Sequence, residues 1–444
     1  MIKAAYNIIV RDGIPLDVKE NTILNIATNC VTASTHGFHK YPAKFIPQIP
    51  RWGIEKYLQG KEGKYILDPF CGSGTTLVEG MLAGHNVIGI DIDPLSIMIT
   101  KVKTTPVEVA QLEKICDCVS KQIQRKRWRG TFQPECPSID HWFTRDASAK
   151  LSVIRTLIDQ VSEEFGHNKQ NRDIIDLLII CFSSIIRRVS NADNESQKTY
   201  VSHTKVKVPE ETFRTFLAQL NYFKDRATQF SLSVDHKLSN QVICSTSTEG
   251  LNEKLTGRVI DIAITSPPYI KAIDYIYNQM VELFWIGDLF GLQTQDKQNI
   301  KKQYYMGTKQ IQKKAFVDYT PFKEELGIDK LDDKLKKVYT NDNKNGHKHA
   351  YLTYRYFLEM EKHFVEMGRC LSPNTHYIMV VGDCSVSGIP FEISEFLTNI
   401  AERNGFRMVN RFGYKIKNRY MRFDRKGRGG IIAIDWVLDF VKRR

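Results

Sequence analysis

Residues 266–269 read Ser-Pro-Pro-Tyr, one residue after the largely apolar run Val-Ile-Asp-Ile-Ala-Ile at 259–264. Proline has no N–H to give a sheet ladder, so the pair must lie beyond a strand's end. Backbone carbonyls held rigidly there have no local donor and meet either water or a ligand. A second stretch, Asp-Pro-Phe-Cys-Gly-Ser-Gly-Thr-Thr at 68–76, follows the apolar residues Tyr65, Ile66 and Leu67. It reads as a strand end, a glycine turn and a helix start, with Asp68 at the strand tip. Gly72 and Gly74 let backbone approach a ligand, and the helix start offers unpaired N–H groups. The lysine of a triphosphate-binding loop is missing, and Leu77 stands where a nicotinamide loop needs its third glycine. Asp91 closes the next apolar run, Asn-Val-Ile-Gly-Ile-Asp, where a carboxylate can accept from both hydroxyls of a ribose. A turn or helix cap ahead of Pro94 is the plainer use of the same residue.

These residues need a frame. From Lys64 the chain alternates short apolar strands with helices, and the strands lack polar alternation, as parallel strands covered on both faces do. Alternation lapses between about 102 and 240 and resumes with Asn-Gln-Val-Ile-Cys at 240–244 and with 258–264. A helix is expected over about 271–289. A long amphipathic helix ends near Leu371, and His376–Asp383, a helix near 391–403 and two closing strands complete the pattern. The fold class expected is α/β: a Rossmann-like, doubly wound, mostly parallel seven-stranded sheet with a C-terminal antiparallel hairpin strand, plus insertions. The chain divides into 1–101 with the glycine loop, a mainly helical insertion 102–239, and 240–290 with the Ser-Pro-Pro-Tyr tetrapeptide. A lysine-rich insertion 291–348 and a C-terminal part 349–444 with a basic hairpin follow. Ligands of such sheets bind beyond the carboxyl ends of the strands, where strand order reverses.

The 444 residues carry 63 basic against 50 acidic side chains, a net charge of +13 that favours a polyanionic partner. Nine cysteines without paired metal spacing, and a start too quickly charged for a secretory leader, imply reduced thiols in a cytoplasmic compartment and no metal site. The longest apolar stretch, from Ile174, carries Asp176 and two serines and is too short to span a bilayer.

Asp-Pro-Phe-x-Gly-Ser-Gly-Thr-Thr with a later Ser-Pro-Pro-Tyr resembles the S-adenosylmethionine-dependent DNA amino-methyltransferases. By position, the resemblance assigns S-adenosylmethionine to Asp68, Phe70, Cys71, Gly72, Gly74, Thr75 and Asp91, with Ile92 against the adenine ring. The segment His-Gly-Phe-His-Lys-Tyr-Pro-Ala-Lys-Phe-Ile-Pro-Gln is similar to the piece that the family folds over the methionine moiety, and it adds Tyr41, Lys44, Phe45 and Pro47. One departure stands out. The family's third strand commonly ends in an acid for the adenine amine, whereas this chain has Ile-Cys-Ser-Thr-Ser-Thr-Glu-Gly, where Ser245, Ser247 or backbone would have to substitute and the contact stays unassigned.

Within the resemblance, the tetrapeptide supplies the acceptors that methylation of an exocyclic amine needs. Ser266 Oγ and the Pro267 carbonyl hold the amine hydrogens, Pro268 stiffens the corner, and Tyr269 stacks on a base taken out of the duplex. Serine in the first slot goes mostly with cytosine N4, and Asp or Asn with adenine N6. A cysteine nucleophile in a Pro-Cys setting, which carbon-5 chemistry requires, is absent. Direct transfer to cytosine N4 in double-stranded DNA is therefore expected, with adenine N6, an RNA base, a protein glutamine or a catalytically dead nucleic-acid-binding module as alternatives. From Arg403 to Arg428 ten basic residues face one acid, Asp424. Lys415, Lys417, Arg419, Arg422, Arg425 and Arg428, with Lys271 after the tetrapeptide, are the expected phosphate contacts. Base reading is expected from 102–239 ahead of 291–348. The resemblance further implies a bacterial or archaeal enzyme associated with the nucleoid, with a restriction endonuclease or defence proteins as partners.

Overall fold

Among the described residues eleven strands are formed, and nine of them join one sheet. In chain order they are β1 (Asn7–Val10), β2 (Ile23–Ile26), β3 (Tyr65–Asp68), β4 (Asn86–Asp91), β5 (Asn240–Cys244) and β6 (Ile262–Thr265), then β7 (His376–Gly382), β8 (Cys384–Val386), β9 (Ile389–Phe391), β10 (Phe406–Lys415) and β11 (Ile434–Lys442). The computed structural model describes residues 7–10, 13–27, 32–42, 44–125, 129–194, 199–255, 257–270, 274–302, 304–308, 311–341, 345–416 and 433–444. The large sheet has the order β1-β2-β10-β11-β7-β6-β3-β4-β5, and β8 pairs with β9 as a separate hairpin. Every neighbouring pair in the large sheet is parallel except those of β11, which runs antiparallel to β7 and β10.

The sheet is therefore doubly wound and mostly parallel, closed by an antiparallel C-terminal hairpin. It holds nine strands rather than the expected seven, because β1 and β2 extend the β10 edge. Both are four-residue strands in a stretch with no helix–strand rhythm. Their pairing depends on a distant partner: Gly413 and Tyr414 of β10 register with Ile23 and Leu24. Between β3 and β6 the order reverses, since the chain leaves β3 towards β4 and β5 and returns to β6 and β7 on the other side.

Successive residues of the central strands face opposite layers, which is why these strands are apolar throughout. Ile66, Ile262, Ile264, Ile378 and Val380 pack with Trp52 and Leu77 from helices Gln48–Leu58 and Thr75–Leu82. Leu67, Ala263, Tyr377, Met379 and Val381 pack with Phe357, Phe364 and Phe396 from helices Gly346–Cys370 and Ile393–Arg403. A third core lies off the sheet. It joins helices Val109–Gln124, Arg145–Phe165, Lys169–Val189 and Thr212–Ser233, all between β4 and β5, to helix Met280–Ile286 after the tetrapeptide. The single helix expected over 271–289 is instead Tyr275–Asn278, Met280–Ile286 and a short turn Gly287–Phe290, with 271–273 outside the described residues. No helix among the described residues is long and apolar enough to cross a membrane.

Candidate active site

Parallel pairing brings the carboxyl ends of β3, β4, β5, β6 and β7 to one edge of the sheet. Asp68, Asp91, Cys244, Thr265 and Gly382 close these strands. The glycine loop and the tetrapeptide leave from the two strands flanking the switch point. They line one cavity that opens to solvent, with about 750 Å³ of open space. Tyr41, Phe70, Gly72, Asp91, Ile92, Ser266 and Pro268 all contribute to its wall.

The loop geometry is set by two glycines with left-handed φ, +47° at Gly72 and +79° at Gly74. A Cβ on Gly72 would stand 3.1 Å from the Tyr41 ring, so backbone there is as close to the cavity as it can be. Tyr41 is fixed in turn, its hydroxyl accepting from Ser96 at 2.9 Å. The Gly72 N–H donates to Asp91 Oδ2 at 2.9 Å, and the Asp93 N–H donates to Asp91 Oδ1 at 2.9 Å. Each Asp91 oxygen thus keeps a free lone pair, the arrangement that a pair of neighbouring hydroxyls can use. Burial pushes the Asp91 carboxyl up to about 7, and repulsion from Asp93 adds to the shift. Asp68 accepts from the Thr265 hydroxyl at 2.6 Å and the Phe70 N–H at 3.1 Å, and burial raises it to about 6. It ties the glycine loop to the strand that carries the tetrapeptide.

On the other wall the Ser266 hydroxyl donates its hydrogen to the Val380 carbonyl at 3.1 Å. Its lone pairs are left to accept. Pro267 is buried behind it. The Tyr269 hydroxyl donates to Asp435 at 2.8 Å, which fixes a half-buried ring by its far end. Asp435 is the second residue of β11, where it pairs with Gly382 and Tyr414, and burial holds its carboxyl above the usual range. Asp274 accepts from the Tyr277 N–H and caps the following helix.

Several expected contacts have other duties. The Cys71 side chain packs in the core against Gly89, so its thiol is not in the cavity, and burial raises the thiol well above its ordinary value. Thr75 is buried at the start of its helix, and Gly74 packs on Thr100. Phe45 lies in the core, Pro47 caps helix Gln48–Leu58, and Lys44 donates to the His36 carbonyl at 3.1 Å. Among the described residues of the segment 36–48, Tyr41 alone lines the cavity. It docks through a cluster that carries no motif: His36 and Arg51 both bind the buried Glu79 of the loop's helix. Lys415 is exposed at the cavity edge of the sheet, while Lys271, Lys417, Arg419, Arg422, Arg425 and Arg428 lie outside the described residues. Arg403 precedes β10 at the opposite edge and is engaged by the carbonyls of Leu326 and Gly327, so it does not belong to the basic surface by the cavity.

Sequence reasoning missed part of the wall. Tyr275, Tyr304, Tyr305, Met306 and Glu359 line the cavity beside Ser245, Thr246, Ser247 and Thr248. Rings of Tyr41, Tyr275 and Tyr305 stack in series at 5.8 and 6.3 Å. The signal was a Tyr-Tyr-Met triplet inside a lysine-rich stretch. Ser247 is held from below by His363 Nδ1 at 3.1 Å, and His363 Nε2 meets the Tyr377 hydroxyl at 2.6 Å.

Comparison with known proteins agrees with this geometry. Residues 16–101 match the family model described as DNA methylase. The chain is 26% identical over 408 residues to the type II methyltransferase M.MvaI of Kocuria varians, covering 87% of this chain and 85% of that one. It is 23% identical over 426 residues to the type II methyltransferase M.BsoBI of Geobacillus stearothermophilus, covering 86% and 80%. A shorter stretch of 172 residues is 44% identical to the type II methyltransferase M.MjaII of Methanocaldococcus jannaschii, covering 37% of this chain and 30% of that one. The match over 16–101 spans Tyr41, the glycine loop and Asp91, so these cavity residues lie in the segment described as DNA methylase. Along most of its length the chain is similar to type II methyltransferases, and its residues 16–101 carry the DNA methylase match. S-Adenosylmethionine suits the residues present: a bare glycine loop, two free lone pairs on Asp91, and aromatic walls for a purine.

Proposed function

We propose that the chain methylates the exocyclic N4 of a cytosine flipped out of double-stranded DNA, directly and without a covalent enzyme intermediate. When bound, S-adenosylmethionine supplies an electrophilic methyl group. Gly72 backbone and Asp91 hold it by its polar parts, with Phe70, Ile92 and the tyrosine series closing around it. The observation that carries the reading is Ser266: its hydrogen is given to Val380, and its lone pairs share a cavity with the glycine loop. An acceptor so fixed grips an amine N–H as the nitrogen becomes tetrahedral, where the interaction counts most. Tyr269, anchored by Asp435, offers its ring to the base, and the Pro267 carbonyl takes the second hydrogen. In the resembled family, serine in this slot goes mostly with cytosine, which supports cytosine over adenine here.

The helical residues 102–239 are proposed to read the target sequence, with 291–348 as a further DNA contact and the residues after Lys415 clamping phosphates. The enzyme would then serve as the methylase of a type II restriction-modification system, in the nucleoid-bearing compartment of a bacterium or archaeon and beside a cognate endonuclease. The test is nucleoside analysis by mass spectrometry of duplex DNA treated with enzyme and S-adenosylmethionine. N4-Methylcytosine supports the reading; N6-methyladenine as the product overturns it.

A further inference from the structure

The cavity wall carries a carboxylate that the chain leaves half satisfied. Glu359, on helix Gly346–Cys370, lines the cavity; Arg355, one turn earlier, donates to Oε1 at 2.7 Å. Oε2 is buried without a hydrogen-bond partner. A buried acceptor without a donor is costly, so such an atom in a cavity wall points to a donor that arrives with a ligand. Burial raises this carboxyl above its ordinary range, with Arg355 opposing.

Its neighbours say which part of the ligand. His363 lies four residues further along the same helix, hence on the same face. Its ring sits 4.7 Å from the Phe70 ring, and its Nδ1 bonds Ser247. Ser245, two residues before Ser247, donates its N–H to the Asp91 carbonyl. Glu359 therefore stands over the end of the cavity bounded by Phe70, Ile92 and the end of β5, next to the ribose acceptor. Phe70 and Ile92 give that end of the cavity apolar lining. The residues 245–248 at the end of β5 are Ser, Thr, Ser and Thr, so that strand brings no carboxylate.

We infer that Glu359 Oε2 accepts a hydrogen bond from the exocyclic amine of the cofactor's adenine, a selecting contact delivered by the helix between β6 and β7. The inference rests on the cavity being the cofactor site and is independent of which DNA base is methylated.

Calorimetric binding of S-adenosylhomocysteine and of its 6-deamino purine analogue tests it, with the full chain and its Glu359→Gln and Glu359→Leu variants. The wild type should prefer the amine-bearing ligand roughly tenfold to a hundredfold, the range for a bond to a charged acceptor. Glu359→Leu should bind both ligands about equally, and Glu359→Gln should keep part of the preference through its amide oxygen. A wild type that binds the two ligands alike, or a Leu variant that keeps the full preference, overturns the inference. The wild-type comparison decides the matter even if the Leu variant fails to fold. Nucleoside analysis on the same preparation at saturating cofactor reports the methylated base separately, so a failure of one reading is distinguishable from a failure of the other.

Discussion

Cofactor affinity should depend on pH through Asp91. Its carboxyl is pushed up to about 7, by burial first and then by Asp93, with the N–H groups of Asp93 and Gly72 opposing. Two ribose hydroxyls are best accepted by the ionised form, so only the ionised fraction binds well. With a pKa of about 7 that fraction is about one in eleven at pH 6 and about ten in eleven at pH 8. Apparent affinity scales with the competent fraction, so the dissociation constant should rise about tenfold as pH falls from 8 to 6. Calorimetry with S-adenosylhomocysteine over this interval measures it. Asp91→Asn should bind more weakly and lose the slope. Asp68, raised to about 6 and tied to Thr265, is the nearby group that could mimic the effect. Asp68→Asn should therefore keep the slope above pH 6.5. A flat wild-type profile, or a slope surviving in Asp91→Asn, would refute the reasoning. Stability of the cofactor-free protein should run the other way. The folded state holds the Asp91 proton up to about 7 against 3.8 in the open chain, so its contribution falls as pH rises through that window.

Ser266→Ala removes one acceptor aimed at the reacting amine. It should cost about 10²–10³ in kcat, comparable to deleting one oxyanion donor, with the dissociation constant for S-adenosylhomocysteine unchanged. Single-turnover methylation checks this, and near-wild-type rates would count against the role given to the tetrapeptide. Tyr269→Phe frees Asp435 from its 2.8 Å donor and should lower stability by about 1–2 kcal/mol in urea unfolding, whereas Tyr269→Ala should in addition raise KM for DNA. Gly74→Ala forces a side chain onto φ +79° with its Cβ 2.8 Å from Thr100 Cγ2, a loss of about 1–3 kcal/mol. Thr100→Ser, which removes that methyl, should restore part of the loss in the double variant.

What was legible in the sequence was local. A strand, a glycine turn and a helix start announce themselves within ten residues, and so do two prolines after an apolar run. Topology then carried these loops to one cavity, because both leave strands that flank the switch point. The short strands β1 and β2 were not legible, since four residues make no periodicity and their partner is almost 400 residues away. Glu359 and Tyr305 were missed for the same reason. Each belongs to an element whose own pattern, an amphipathic helix or a lysine-rich stretch, explains it without a ligand. The charge run from Arg403 misled in part, because a strand separates its ends: Arg403 lies at one edge of the sheet and Lys415 at the other.

Gly307 presses its backbone against the last residue of the tetrapeptide, close enough that a Cβ would stand 3.0 Å from the Tyr269 carbonyl oxygen. Tyr304, Tyr305 and Met306, just before it, form one side of the cavity. The sheet provides the floor; the excursion between β6 and β7 provides a ceiling. Two enzymes sharing this sheet but differing in that excursion would inherit one floor under two ceilings. A graft that exchanged the excursion would replace a wall of the cavity in the same stroke.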